Sequence, residues 1–277
     1  MVYARDCWPD GSAAERRLLA VQIGTIVAID DALDHSAPLA TPTEEYRTLL
    51  PWHPPLRGAV AVARAPVRQA VKRRDAELAR HARQTFGSAS APSEVVTWWR
   101  SQAEAMVAAA WQEARWRTSA PPDERTYLAV AEHSIGVGWL AATLVRLSGS
   151  PLAPVAGSRV EAAIRAVAVA VRTANDLHEV ERERGEGKVQ LLFLRARTWK
   201  DLHAPAEAEH RARAELTTEL AQRVALARAL LDPSGWTDSP RLRVGLSGML
   251  TAALALYSVE TGGAARAAVG VVSYEVR

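Results

Sequence analysis

Apolar residues along the chain recur at three- and four-residue intervals, set among Ala, Leu and Arg, and almost never alternate with polar ones. That period is helical; a half-buried strand would alternate and end in a hairpin turn. Gly and Pro punctuate the pattern into candidate helices at about 13–35, 42–50, 56–86, 92–118, 123–148, 157–186, 188–198, 205–231 and 239–262. Ser93-Glu94 and Pro121-Pro122-Asp123-Glu124 read as helix starts, with acidic residues where the helix dipole favours them. Asp232-Pro233-Ser234-Gly235 reads as a break. Length alone would allow two domains at about 150 residues each. No linker long enough to separate two cores is visible, so the pattern predicts one all-α domain over 1–277.

Composition narrows the function classes. Hydrophobic residues make up 48% and charged residues 23%, enough for a sizeable core and unlike a disordered or fibrous chain. Lys and Arg number 34 against 31 Asp and Glu, yet the Arg-rich stretches 72–83 and 181–188 also carry acids. No one-sided basic stripe results, which argues against a nucleic-acid partner. The single cysteine, Cys7, excludes a disulfide scaffold and a Cys-based zinc site. The apolar stretches 18–29 and 244–259 fall short of the roughly 20 residues that cross a bilayer. The start, MVYARDCWPDG, lacks the order of a signal peptide. A cytoplasmic protein without a membrane span is the expectation.

Two acidic clusters carry the candidate chemistry. In the first, Asp30 and Asp34 are four residues apart on one helix face, and Asp31 lies about 100° round from Asp30. They end an apolar run, where unpaired carboxylates repel one another and a hard cation such as Mg²⁺ relieves the cost. In the second, Asn175, Glu179 and Glu183 follow one another at four-residue steps, so three oxygen donors line one face. Arg172 and Arg182 flank them and are suited to an anion. Each cluster alone also fits a solvated, salt-bridged helix end. Together, two carboxylate walls in a helical bundle suit a polyphosphate neutralised by Mg²⁺.

The sequence resembles the class I terpene synthases. Asp30-Asp31-Ala32-Leu33-Asp34 matches their DDxxD motif, and Asn175-Asp176-Leu177-His178-Glu179-Val180-Glu181-Arg182-Glu183 resembles their (N/D)Dxx(S/T)xx(K/R)(D/E) motif. Only Glu179 departs, standing where the family has Ser or Thr. Glu113-Ala114-Arg115-Trp116, Pro121-Pro122, Glu124 and Tyr127-Leu128 resemble the family's E-A-x-W…P…E-Y-L passage, and Gly248 to Thr261 its last core helix. Ser134-Ile135-Gly136-Val137-Gly138 falls where the family breaks a helix beside the substrate.

The resemblance implies an α-helical bundle in which Asp30, Asp31, Asp34, Asn175, Glu179 and Glu183 hold Mg²⁺, three ions with the diphosphate bound. Asp30, Asp34, Asn175 and Arg172 would carry the catalysis. Arg172, Arg182 and Lys188 would hold the diphosphate of a prenyl substrate, and Ile135, Gly136, Trp139 and Tyr257 would line the pocket. A sensor arginine is missing at Ala129-Val130-Ala131-Glu132, an Arg-Tyr pair is missing at Gly263-Ala264, and DDxxD comes early, as if the usual N-terminal helices were shortened. These departures look more like the bacterial kaurene-synthase-type diterpene cyclases. They point to a C20 substrate, bicyclic where a separate class II cyclase supplies it. The alternatives are a sesquiterpene cyclase on farnesyl diphosphate and a catalytically degenerate relative. A homodimer is compatible with the resemblance.

Overall fold

The computed structural model describes residues 2–34, 93–149 and 158–258. Among them the chain forms α1 (Val2–Cys7), α2 (Ala13–Asp34), α3 (Ser93–Trp116), α4 (Glu124–Ser134) and α5 (Val137–Ser148). The order continues with α6 (Arg159–His178), α7 (Val180–Gly185), α8 (Leu191–Trp199), α9 (Pro205–Leu230) and α10 (Pro240–Ser258). No strand occurs among these residues. The predicted helices at 42–50 and 56–86 lie outside the described residues.

Local chemistry starts the helices where the sequence says it should. Before α2, Ser12 and Glu15 cap one another, each side chain accepting the other's backbone N–H at 2.6 and 3.2 Å. Asp123 accepts from Thr126 N at 2.7 Å ahead of α4, and Ser158 accepts from Glu161 N ahead of α6. Two predicted helices divide. The stretch 123–148 breaks at Ile135-Gly136, where Gly136 takes φ 75° and starts a new helix. A side chain there would meet Ile26 of α2 at 2.7 Å, so the break needs glycine for both conformation and space. The stretch 157–186 turns at Glu179, whose φ and ψ of −84° and 14° end α6. The Asn175–Glu179 and Glu179–Glu183 backbone bonds persist at 2.9 Å, so the chain kinks without stopping.

Helix α6 lies at the centre and packs against α4, α9 and α10. Ala163, Val167, Ala170, Val171 and Leu177 are all buried, as expected of a helix covered on most sides. Helix α10 also takes α1 against it so closely that a Cβ at Gly248 would collide with the Asp6 carbonyl. A second core joins α2, α3 and α5 through Leu18, Ile29, Met106, Trp111 and Trp139. The stretch Glu124–Ser148 is long and apolar enough to cross a membrane, but it is broken at Gly136 and more than half of it is buried in the protein.

Candidate active site

The helix that carries Asp30 is held in place by buried polar contacts. Gln22 donates to the Trp139 carbonyl at 3.0 Å and accepts from Thr143 Oγ1 at 2.6 Å, while Trp99 Nε1 donates to Thr143 at 2.7 Å. These bonds tie α2 to α5 and α3. At its end, Arg117 donates to the Leu33 carbonyl at 3.3 Å. Asp30 is therefore presented from a fixed helix while its carboxylate stays half exposed. The side chains of Asp31 and Asp34 lie outside the described residues.

The second motif is fixed from beneath by a buried ion network that the sequence reading did not assign. Arg172 Nε lies 2.8 Å from Asp176 Oδ1, and Nη1 lies 3.2 Å from Glu113 Oε2. Tyr127 receives bonds from Arg172 and donates to Asp176 at 2.8 Å. Asp176 also accepts from Leu191 N at 3.2 Å, and Ser134 donates to Glu113 at 2.6 Å. Burial pushes the Asp176 and Glu113 carboxyls up, against the pull of Arg172. Burial likewise works against the Arg172 charge, but Asp176 and Glu113 on either side hold it well above the ordinary range. The network joins α3, the helix break, α6 and the start of α8.

Along α6 and α7 the three expected oxygen donors follow one another, Asn175 and Glu179 partly exposed and Glu183 buried. Asn175 hydrogen-bonds Tyr257 of α10, a contact that eases ionisation of the phenol. Burial nonetheless raises the Tyr257 pKa overall. Tyr257 also lies 5.6 Å from the His178 ring. Glu179 accepts from Arg182 Nε at 2.6 Å, and Arg182 also approaches Glu186 at 3.4 Å. Glu183 is buried and accepts from Gln190 Nε2 at 2.6 Å. Lys188 spans the two motifs, its Nζ 3.5 Å from Asp30 Oδ2 and 3.4 Å from Glu186 Oε2.

Of the expected site residues, Arg172 comes out differently, and the structure places the pocket candidates as follows. Arg172, which the sequence marks for diphosphate, is 7% exposed with its donors turned to Asp176, Glu113 and Tyr127. Its guanidinium supports the second motif from below. Trp139, marked for the pocket, is fully buried with its ring 5.5 Å from Trp99. Tyr257 lies beside Asn175 at the metal-motif end. Ile135 and Gly136 form the helix break.

The donor set suits Mg²⁺. Asp30, Asn175, Glu179 and Glu183 offer hard oxygens, the Lys188 ammonium already occupies a cation's place beside Asp30, and the buried Gln190 Oε1 has no partner among the described residues. Among the described residues no three acidic, His or Cys side chains already converge as a cage.

Burial raises the Glu183 carboxyl to about 7 from an ordinary 4.5, despite opposing pulls from Arg172 and Lys188. The folded protein therefore binds the extra proton between those values, and stability falls as pH rises through that window. Above it the buried charge costs on the order of 3 kcal/mol. Glu183→Gln removes the cost and keeps an amide against Gln190. Urea titration of the metal-free protein should show the variant more stable by roughly 1–3 kcal/mol at about pH 8, with the gain gone near pH 4.5. An equal gain at both pH values would disconnect it from the carboxylate charge.

The all-α bundle, its broken helix and its two facing oxygen-bearing segments define a class I terpenoid-synthase architecture. The family model described as terpene synthase family 2, C-terminal metal binding, matches residues 23–225, and the chain belongs to that family. It is a class I terpene synthase, and the family model that it matches is described as metal-binding. The fold is similar to 2-methylisoborneol synthase from Streptomyces coelicolor A3(2), solved with Mg²⁺ and 2-fluoroneryl diphosphate. The TM-score is 0.66 and the identity 16%, over 94% of this chain and 81% of that one. Germacradien-4-ol synthase from Streptomyces citricolor gives 0.63 at 20% identity over 91% and 80%. Linalool/nerolidol synthase from Streptomyces clavuligerus, bound to 2-fluorogeranyl diphosphate, gives 0.63 at 18% over 93% and 85%. No curated protein matches the sequence.

Proposed function

We propose that the chain, acting as one catalytic unit over 1–277, ionises a linear C10 or C15 prenyl diphosphate. The allylic cation then closes to a terpene hydrocarbon or alcohol. The observation that carries this reading is the 3.5 Å approach of Lys188 to Asp30, which brings the segment after the second motif against the first. Asp30, with Asp31 and Asp34 of the same motif, holds Mg²⁺ on one side; Asn175, Glu179 and Glu183 hold it on the other. Three bound ions fit this donor set. When bound, Mg²⁺ supplies Lewis-acid activation of the diphosphate leaving group.

Arg182 and Lys188 stabilise the departing diphosphate electrostatically, Arg182 by exchanging Glu179 and Glu186 for phosphate oxygens. Arg172 acts through Asp176, keeping Asn175 in register. The helix break at Ile135-Gly136 is where the family resemblance places the substrate, and that is its role in this reading. Departed diphosphate serves as the base in this reading.

The C10 reading is supported by the fluorinated neryl and geranyl diphosphates, both C10, bound by two of the neighbours. The C15 reading is supported by the C15 alcohols in the names of the germacradien-4-ol and linalool/nerolidol synthases. Nothing among those neighbours supports the C20 chain or the class II cyclase that would supply its bicyclic form. The test is incubation with Mg²⁺ and linear C10, C15 and C20 diphosphates beside a bicyclic C20 one, with products read by gas chromatography and mass spectrometry. Cyclised or hydroxylated product from the C10 or C15 substrate is expected. Turnover of the bicyclic substrate alone would overturn the chain-length reading.

A further inference from the structure

We propose that Lys188 is a resident counter-ion of the first aspartate motif, a place-holder that a divalent cation must displace before it settles there. The inference rests on the metal-site reading above. Lys188 follows α7 across Gly187, whose φ of 68° turns the chain back on itself. The turn is closed by Lys188 N donating to the Glu183 carbonyl at 3.0 Å. The side chain then runs inward, 13% exposed, to reach Asp30 Oδ2 at 3.5 Å and Glu186 Oε2 at 3.4 Å.

An ammonium and a metal ion compete for the same carboxylate oxygen. Asp30 cannot give full charge to both. Lysine suits an exchange of partners, being a compact charge with three donors on a flexible stem. A diphosphate offers it more negative charge than Asp30 does, so anion binding draws Lys188 away and frees Asp30 for the metal. Linkage makes the effect mutual: metal and diphosphate each strengthen the other's binding. Lys188 thus sets an order, with tight metal binding deferred until the anion arrives. In the ion-free fold it also limits the repulsion that clustered carboxylates would otherwise impose.

The measurement is Mn²⁺ binding to the intact protein, followed by the free-ion paramagnetic resonance signal, with and without inorganic pyrophosphate. Helix content by circular dichroism confirms that each variant is folded. Lys188→Gln keeps the length and removes the charge. Without pyrophosphate it should bind Mn²⁺ roughly three- to tenfold more tightly than wild type, the scale of one partly buried ion contact. Lys188→Arg should stay near wild type. In an Asp30→Asn background the gain from Lys188→Gln should disappear, which separates a direct contact from a change in net charge. Pyrophosphate should tighten Mn²⁺ binding strongly in wild type and much less in Lys188→Gln. Equal Mn²⁺ affinity in wild type and Lys188→Gln would overturn the place-holder while leaving the metal site intact. Absence of Mn²⁺ binding in every form, with or without pyrophosphate, would instead overturn the metal-site reading itself.

Discussion

Asp30→Ala should lower product formation by roughly a hundredfold to a thousandfold, the cost of removing one preorganised charge from an ionisation step. The expectation follows from where Asp30 stands. Helix α2 is locked by Gln22 to α5, and its end by Arg117, so the carboxylate is delivered to a fixed point. Among the described side chains of the first motif, it is the one that the segment after the second motif reaches, through Lys188. Its loss removes one wall of the metal site and the partner of that lysine together. The fold should survive, because the side chain is half exposed and lies outside both apolar cores. Thermal unfolding should shift by no more than about 2 °C, as for most exposed substitutions. Turnover within threefold of wild type, in a variant of unchanged stability, would remove Asp30 from the site.

How much of this was legible in sequence differs by level. Helix existence came from the three- and four-residue period and from capping chemistry, so Ser93–Trp116 lies close to the predicted 92–118. The break at Gly136 followed from the family resemblance and not from the period. The kink at Glu179 carries no glycine or proline, and only the packing of Val180 and Glu183 into the interior reveals it. Period also assigns a residue to a face without saying which face of another helix meets it. The network of Glu113, Tyr127, Arg172 and Asp176 was therefore missed. A signal was present: Met106, Ala109 and Ala110 form a buried stripe, and Glu113 takes the next position along it. Arg172 likewise interrupts the buried run of α6. An acid and a base that each fall on a buried stripe must find one another. Trp139, which the resemblance places near a reaction centre, packs in the second core with its ring beside Trp99.

The same network sets the second large effect. Arg172→Met leaves Glu113 and Asp176 buried near one another without their shared cation, and both carboxyls are already pushed up by burial. Breaking a buried pair by deleting one partner costs about 3–5 kcal/mol, a large part of the 5–15 kcal/mol that holds a typical domain together. Urea unfolding should show a loss of that size at neutral pH. Adding Glu113→Gln and Asp176→Asn to Arg172→Met removes the stranded charges and keeps hydrogen-bonding groups beside Ser134, Tyr127 and Leu191 N. The triple variant should recover at least about half of the lost stability, because satisfied neutral groups bury at far lower cost than unpaired ions. It also separates two roles for Arg172. A positioning residue leaves pyrophosphate binding in the presence of Mn²⁺ near wild type once the network is neutralised and folded. An arginine that grips the anion directly leaves the triple variant stable but unable to bind it. A loss below about 1 kcal/mol for Arg172→Met alone would mean that the buried charges find other compensation, and the support assigned to α6 would fall with it.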